Sequence, residues 1–271
     1  MCLPGTAEAV REQHHKVSRR GVLAGGGAAA LAALAPAPAL AKPKRSKGKV
    51  VDLTHRFTAG FPVYTGPEPT RRTAKTFAAN GFYSQEWTFG EHSGTHVDAP
   101  GHFVEGRRLV DQLRPRELVL PIVVIDIADR ADRDPDTEVT PDDIRRFERR
   151  HGRVPRGALV AMRSGWAGKL GSPEFTGVDA SGVFHFPGFG LEAAELLIDR
   201  RAGAIGVDTL SLDPGPLATF AVHTAWLGTD RYGVEGLANL GRIPASGAVA
   251  TVGVIPWQAG SGGPARVLAS Y

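Results

Sequence analysis

The chain has 271 residues, 42% hydrophobic and 22% charged, with 34 glycines, 20 prolines and one cysteine. This is a globular composition, and so much glycine and proline excludes a helical bundle or coiled coil in favour of many turns. One cysteine excludes an internal disulfide and any thiolate zinc cluster, while 32 Lys and Arg against 28 Asp and Glu give no pointer to nucleic acid.

Residues 1–20 are polar and end in Ser18-Arg19-Arg20, ahead of the weakly apolar run from Ala24 to Leu34. That order resembles a twin-arginine export signal, and Ala39-Leu40-Ala41 supplies a small-x-small cleavage site. Gly25 to Gly27, Pro36 and Pro38 make the run a poor membrane helix. The expectation is a signal over 1–41, a basic linker over 42–49 and one domain over 50–271. The mature protein is then periplasmic or extracellular, with no stable membrane insertion.

Beyond the linker, Val50 to Thr54, Pro121 to Ala128, Ala158 to Arg163, Ala204 to Leu210 and Val249 to Pro256 read as strands. Most are apolar throughout, which predicts burial on both faces. Thr140-Pro141-Asp142-Asp143 predicts a helix start, with Thr as N-cap, proline at the first helical position and acids in the first turn. This helix runs to His151-Gly152. Leu191 to Ala202 predicts a second helix, with Leu191, Ala194, Leu197 and Ile198 on one face and Gly203 ending it. Together these give a single mixed α/β domain with a largely buried β core and a few flanking helices.

The chemistry concentrates in Glu91-His92-Ser93-Gly94-Thr95-His96-Val97-Asp98-Ala99-Pro100-Gly101-His102. Gly94, Val97, Pro100 and Gly101 disfavour a helix here. An extended chain puts His92, Gly94, His96 and Asp98 on one face, and the missing side chain at Gly94 leaves room for an ion between the imidazoles. Two imidazoles and a carboxylate form an open three-ligand set for Zn²⁺, Mn²⁺ or Fe²⁺; the competing reading is hydrogen-bonded histidines lining a turn.

This segment resembles the His-x-Gly-Thr-His-x-Asp-x-Pro-x-His signature of the cyclase family of metal-dependent hydrolases, which includes bacterial kynurenine formamidases and isatin hydrolases. Asp52-Leu53-Thr54-His55, Arg163-Ser164-Gly165-Trp166, Phe186-Pro187-Gly188-Phe189, the run Ile205 to Asp213 and Asn239-Leu240 are similar to further landmarks of that family. The resemblance covers essentially the whole mature chain and implies a swivelling β/β/α-like architecture. It implies one or two divalent ions per chain, Zn or Mn, with His92, His96 and Asp98 holding one. A second would share Asp98 and take His223 and Glu235, and His102 would be the general acid/base. Read without the resemblance, His223 is a core histidine and Glu235 a surface carboxylate.

The resemblance further implies a small-molecule substrate, an aryl formamide or cyclic amide, and a homo-oligomer of at least two chains. A lactone hydrolase and an exported non-catalytic metal binder are the alternatives. Phe82, Tyr83, Trp87, Trp166 and Phe186 are candidates for an aromatic substrate wall, with core packing as the competing reading. His55 is a candidate to approach the site from the first strand, and His185 to line the pocket.

Overall fold

The computed structural model describes residues 48–271; the expected export signal lies outside the described residues, as does the linker up to Lys47. Lys49 already exchanges backbone hydrogen bonds with Tyr271, extending the pairing of strand β1 (Val50–Asp52). Next come β2 (Thr70–Lys75), one helical turn α1 (Phe77–Asn80) and β3 (Ser84–Thr88). Residues 71–88 form a compact unit of their own, in which β2 pairs with β3. The Thr76 hydroxyl caps α1 by accepting from Ala79 N at 3.3 Å, and Arg72 pairs with Glu86 across the strands.

The main body, residues 48–70 and 89–271, holds the rest. In chain order these are β4 (His96–Asp98), β5 (Val119–Asp126), α2 (Ala128–Ala131), β6 (Glu138–Val139), α3 (Pro141–His151), β7 (Leu159–Arg163) and β8 (Gly188–Phe189). They continue with α4 (Leu191–Asp199), β9 (Ala204–Val207), α5 (Ala221–Leu227), β10 (Tyr232–Glu235), β11 (Ala248–Val254) and β12 (Gly262–Ser270). The strand order β1-β12-β11-β5-β7-β9-β10-β4 closes into a barrel of seven strands because β12 also pairs with β4. One edge of β12 serves twice: Gly262 to Pro264 face Asp98 to His96, and Leu268 to Ser270 face β1. β5, β7, β9 and β10 run parallel, while β11 and β4 flank them antiparallel.

Alternation along these strands divides the core in two. Leu120, Ile122, Leu159, Ala161, Val234, Ala250 and Val267 fill the barrel. Val123, Ile125, Val160, Met162, Ile205 and Val207 point outward, against Ile144 and Phe147 of α3, Leu197 of α4 and Trp226 of α5. The parallel strands are therefore apolar on both faces, since helices cover the outside. β11 departs from that expectation: it alternates buried and exposed residues, with Val249 left 40% exposed.

Helix α3 has the expected limits. Thr140 and Asp143 exchange capping bonds, and Gly152 at φ +86° ends the helix. Helix α4 ends at Asp199, short of the expected Ala202, because Arg201 turns left-handed at φ +60° before Gly203 is reached. The strand expected over Val50 to Thr54 stops at Asp52, with Thr54 making only an isolated bridge to Leu237.

Candidate metal centre

The antiparallel pair β4 and β10 places His96 directly opposite Glu235. Val97 and Val234 point into the barrel, so His96, Asp98 and Glu235 share its outer face. Helix α5 packs on β10, and its buried stripe of Val222, Trp226 and Leu227 carries His223 to the same spot. His92 arrives from the loop before β4. Two groups result, His92 with His96 and Asp98, and Asp98 with His223 and Glu235. Within each group one ligand atom per residue lies within 4.8 Å of the others.

The extended reading of 92–98 needs correction. Only His96–Asp98 is strand, and Gly94 turns the chain at φ +69°. Its missing side chain makes room for the Phe57 ring, 2.7 Å from where a Cβ would sit, rather than for an ion. Turning there aims the Gly94 carbonyl at His96 Nδ1, 2.9 Å away.

Each imidazole has one nitrogen committed outward. His96 Nδ1–H donates to the Gly94 carbonyl, and His223 Nδ1–H donates to the Asp213 carboxylate at 2.6 Å. His92 Nε2–H donates at 2.9 Å to the Ser261 hydroxyl, which itself donates to Glu91 at 2.6 Å. In His96 and His223 such bonds select the tautomer whose other nitrogen is a bare lone pair. His92 Nδ1 meets Asp98 Oδ1 in a 2.6 Å hydrogen bond, whereas His96 Nε2 faces Asp98 and Glu235 at 3.4 and 3.3 Å with no hydrogen bond formed. His223 Nε2 faces Glu235 and Asp98 at 3.1 and 3.5 Å.

Lone pairs aimed at carboxylate oxygens repel unless a cation lies between them. His96 Nε2 and Asp98 Oδ2 are buried and have no hydrogen-bond partner, a loss of about 1–3 kcal/mol each if nothing else filled the gap. The buried carboxylates favour positive charge at this spot. Burial disfavours a charged His96, yet the Asp98 and Glu235 carboxylates lift its pKa to about 10. Burial likewise opposes charge on His223, and Asp213, Asp98 and Glu235 override it. The residues present thus fit a divalent ion of nitrogen and oxygen preference.

His102 ends a short 3₁₀ turn and stacks on His92, ring centroids 3.8 Å apart. Burial leads the causes that push its pKa down to about 4. Two of the rings expected in an aromatic wall, Trp166 and Phe186, are instead fully buried in a small core with Phe61 and Phe175. Within the main body, Phe103 lies 4.5 Å from His223 and Phe220 5.6 Å from it.

His55 packs against Phe61 and Phe175, its Nε2 buried and unpartnered, and burial lowers its pKa. His185 pairs with Asp136 and Asp179 at the surface. Sequence reasoning passed over Asp213, Ser261 and Glu91. Asp213 closes the landmark run beginning at Ile205, and Glu91 precedes His92, whereas nothing local marks Ser261.

The cyclase family model ("Putative cyclase") matches residues 51–214. The chain belongs to the cyclase family. This cyclase-family chain is 33% identical over 198 residues to isatin hydrolase of Roseibium aggregatum, a match covering 69% of this chain and 75% of that protein. Its fold is similar to that of isatin hydrolase A from Labrenzia aggregata bound to benzyl benzoate. There the TM-score is 0.78 and the identity 32%, over 82% of this chain and 93% of that one. An isatin hydrolase bound to the product analogue thioisatinate gives a TM-score of 0.79 at 28% identity, over 83% and 92%.

Proposed function

We propose that the chain is an exported, divalent-metal-dependent hydrolase that opens a small cyclic amide such as isatin, with Zn²⁺ or Mn²⁺ held by His92, His96 and Asp98 and a second ion by Asp98, His223 and Glu235. The observation that carries this reading is the convergence of three oriented imidazoles on two buried carboxylates. Relatives named for isatin favour the cyclic amide over an aryl formamide.

When bound, the ions supply the Lewis acidity that activates water and polarises the scissile carbonyl. The protein's own groups handle protons and position. His102 is neutral at pH 7, because burial holds its pKa near 4, and its stacking on His92 restricts the ring. It takes a proton from the attacking water as the C–O bond forms and returns it to the amide nitrogen as the C–N bond breaks. Asp213, the Gly94 carbonyl and the Ser261–Glu91 pair keep the three imidazoles oriented while this happens.

Purified protein loaded with Zn²⁺ or Mn²⁺ should turn over isatin, with aryl formamides and lactones as comparisons. Tight metal retention without turnover of any of them would instead favour a non-catalytic binder. Export and assembly into at least a dimer belong to the same proposal, supported by the twin arginine at Arg19-Arg20 and by the family resemblance. The intact mass of secreted protein and light scattering test them.

A further inference from the structure

We propose that Tyr64 determines specificity at this site, its phenol donating a hydrogen bond to a second oxygen on a planar aromatic substrate, adjacent to the scissile carbonyl. The inference rests on the hydrolase reading above. Tyr64 lies on the loop after β1, within the main body. Its ring stacks on Phe184 at 4.5 Å and 19°, and meets Phe186 and Phe220 edge-on at 6.2 and 5.6 Å. Phe220 in turn meets Phe103 at 5.1 Å and His223 at 5.6 Å. A continuous aromatic surface therefore runs from Tyr64 to the metal-facing histidine.

Two features argue that this surface does more than pack. Phe220 sits at φ +49°, a left-handed conformation that glycine favours, directly before the helix carrying His223. Such strain in an aromatic residue persists where its surroundings hold it, and it is concentrated at functional sites. The second feature is the Tyr64 hydroxyl. Three aromatic neighbours hold the half-buried ring, and its hydroxyl bonds to no described residue, which leaves the O–H available to a substrate. Burial first, then the Asp213 and Glu235 carboxylates, raise its pKa, with His223 opposing. The phenol is thus within electrostatic reach of the centre and stays a protonated donor at neutral pH.

A donor placed there calls for an acceptor on the substrate that the ions do not take. A ring amide with a neighbouring carbonyl supplies one, and its aromatic ring can lie along Phe103 and Phe220. Phenylalanine would serve the packing equally well; only the oxygen requires tyrosine.

Tyr64→Phe tests this in metal-loaded protein, with isatin for turnover and with phenylglyoxylate and benzoate for calorimetric binding. Phenylglyoxylate keeps the aromatic ring and the keto oxygen beside a carboxylate; benzoate lacks that keto oxygen. The expected result is a rise of about 3- to 10-fold in KM for isatin and in Kd for phenylglyoxylate, the effect of one neutral hydrogen bond. Benzoate affinity, metal content and thermal midpoint should stay unchanged. Equal phenylglyoxylate affinity in variant and wild type, an equal loss for benzoate, or no phenylglyoxylate binding by wild type would each overturn the proposal. Should wild type bind phenylglyoxylate but leave isatin intact, the isatin reading fails while the comparison with benzoate still decides Tyr64.

Discussion

Asp213 offers the most informative perturbation, because it touches both the fold and the centre without being among the candidate ligands. Its carboxylate accepts from Val222 N at 2.8 Å, from His223 N at 3.0 Å and from His223 Nδ1 at 2.6 Å, all in a buried setting. Asp213→Ala leaves three donors unpaired at the start of α5. With about 1–3 kcal/mol for each unsatisfied buried donor and partial repair by water, the loss is about 3 kcal/mol. At roughly 2–4 °C per kcal/mol for a chain of this size, the apo protein should melt about 6–12 °C lower. Freeing the His223 ring should also weaken the ion shared by Asp98, His223 and Glu235 by about 10- to 100-fold. The set containing His92 and His96 should hold its ion. Asp213→Asn keeps one acceptor oxygen and should fall between. Chelator competition on metal-loaded protein, run beside thermal melts after chelation, separates the two effects. Two equivalents held with wild-type affinity in Asp213→Ala would refute the argument that this carboxylate orients His223.

His102→Ala should keep near-normal metal content while turnover falls by about 10²- to 10⁴-fold; loss of a metal equivalent in parallel would make His102 a ligand instead. Gly94→Ala forces a Cβ to 2.7 Å from the Phe57 ring at a φ of +69°, so it should destabilise by about 1–3 kcal/mol and lower metal affinity by shifting the carbonyl that holds His96. Denaturant unfolding and metal analysis read the two consequences. His185 has its pKa raised, first by its hydrogen bond to Asp136, against slight burial and with Asp179 assisting. The protonated pair therefore steadies the loop below the ordinary histidine value of 6.5 and is lost as pH rises through the raised value. Once the intrinsic base-catalysed rate is divided out, amide protection across residues 178–186 should fall as pH rises from below 6.5 in wild type and change less in Asp136→Asn.

Local chemistry decided what was legible in the sequence. Helix α3 could be delimited from Thr140, Pro141 and Gly152, because capping depends on residues within one turn of each end. β5, β7 and β9 stood out as apolar runs, since each is covered on both faces. His92, His96 and Asp98 lie within seven residues, so their grouping needed no knowledge of the fold. His223 and Glu235 were different. By their local sequence one belongs in a core and the other on a surface, and only the pairing of β4 with β10 and the packing of α5 on β10 bury both against Asp98.

Tertiary structure also assigned the glycine and the aromatic rings. Gly94 reads from sequence as space for an ion, but Phe57, distant in the chain, occupies that space, and the turn serves to aim a carbonyl at His96. Ser261 comes from the turn before β12, 169 residues after His92, and reaches it because the barrel closes through the pairing of β12 with β4. Sequence thus determined the candidate ligand types, their first cluster and the elements whose signals are short-range. Which tautomer each histidine adopts, and which rings face the centre, follow from contacts between residues far apart in the chain, and those exist only once the barrel has closed.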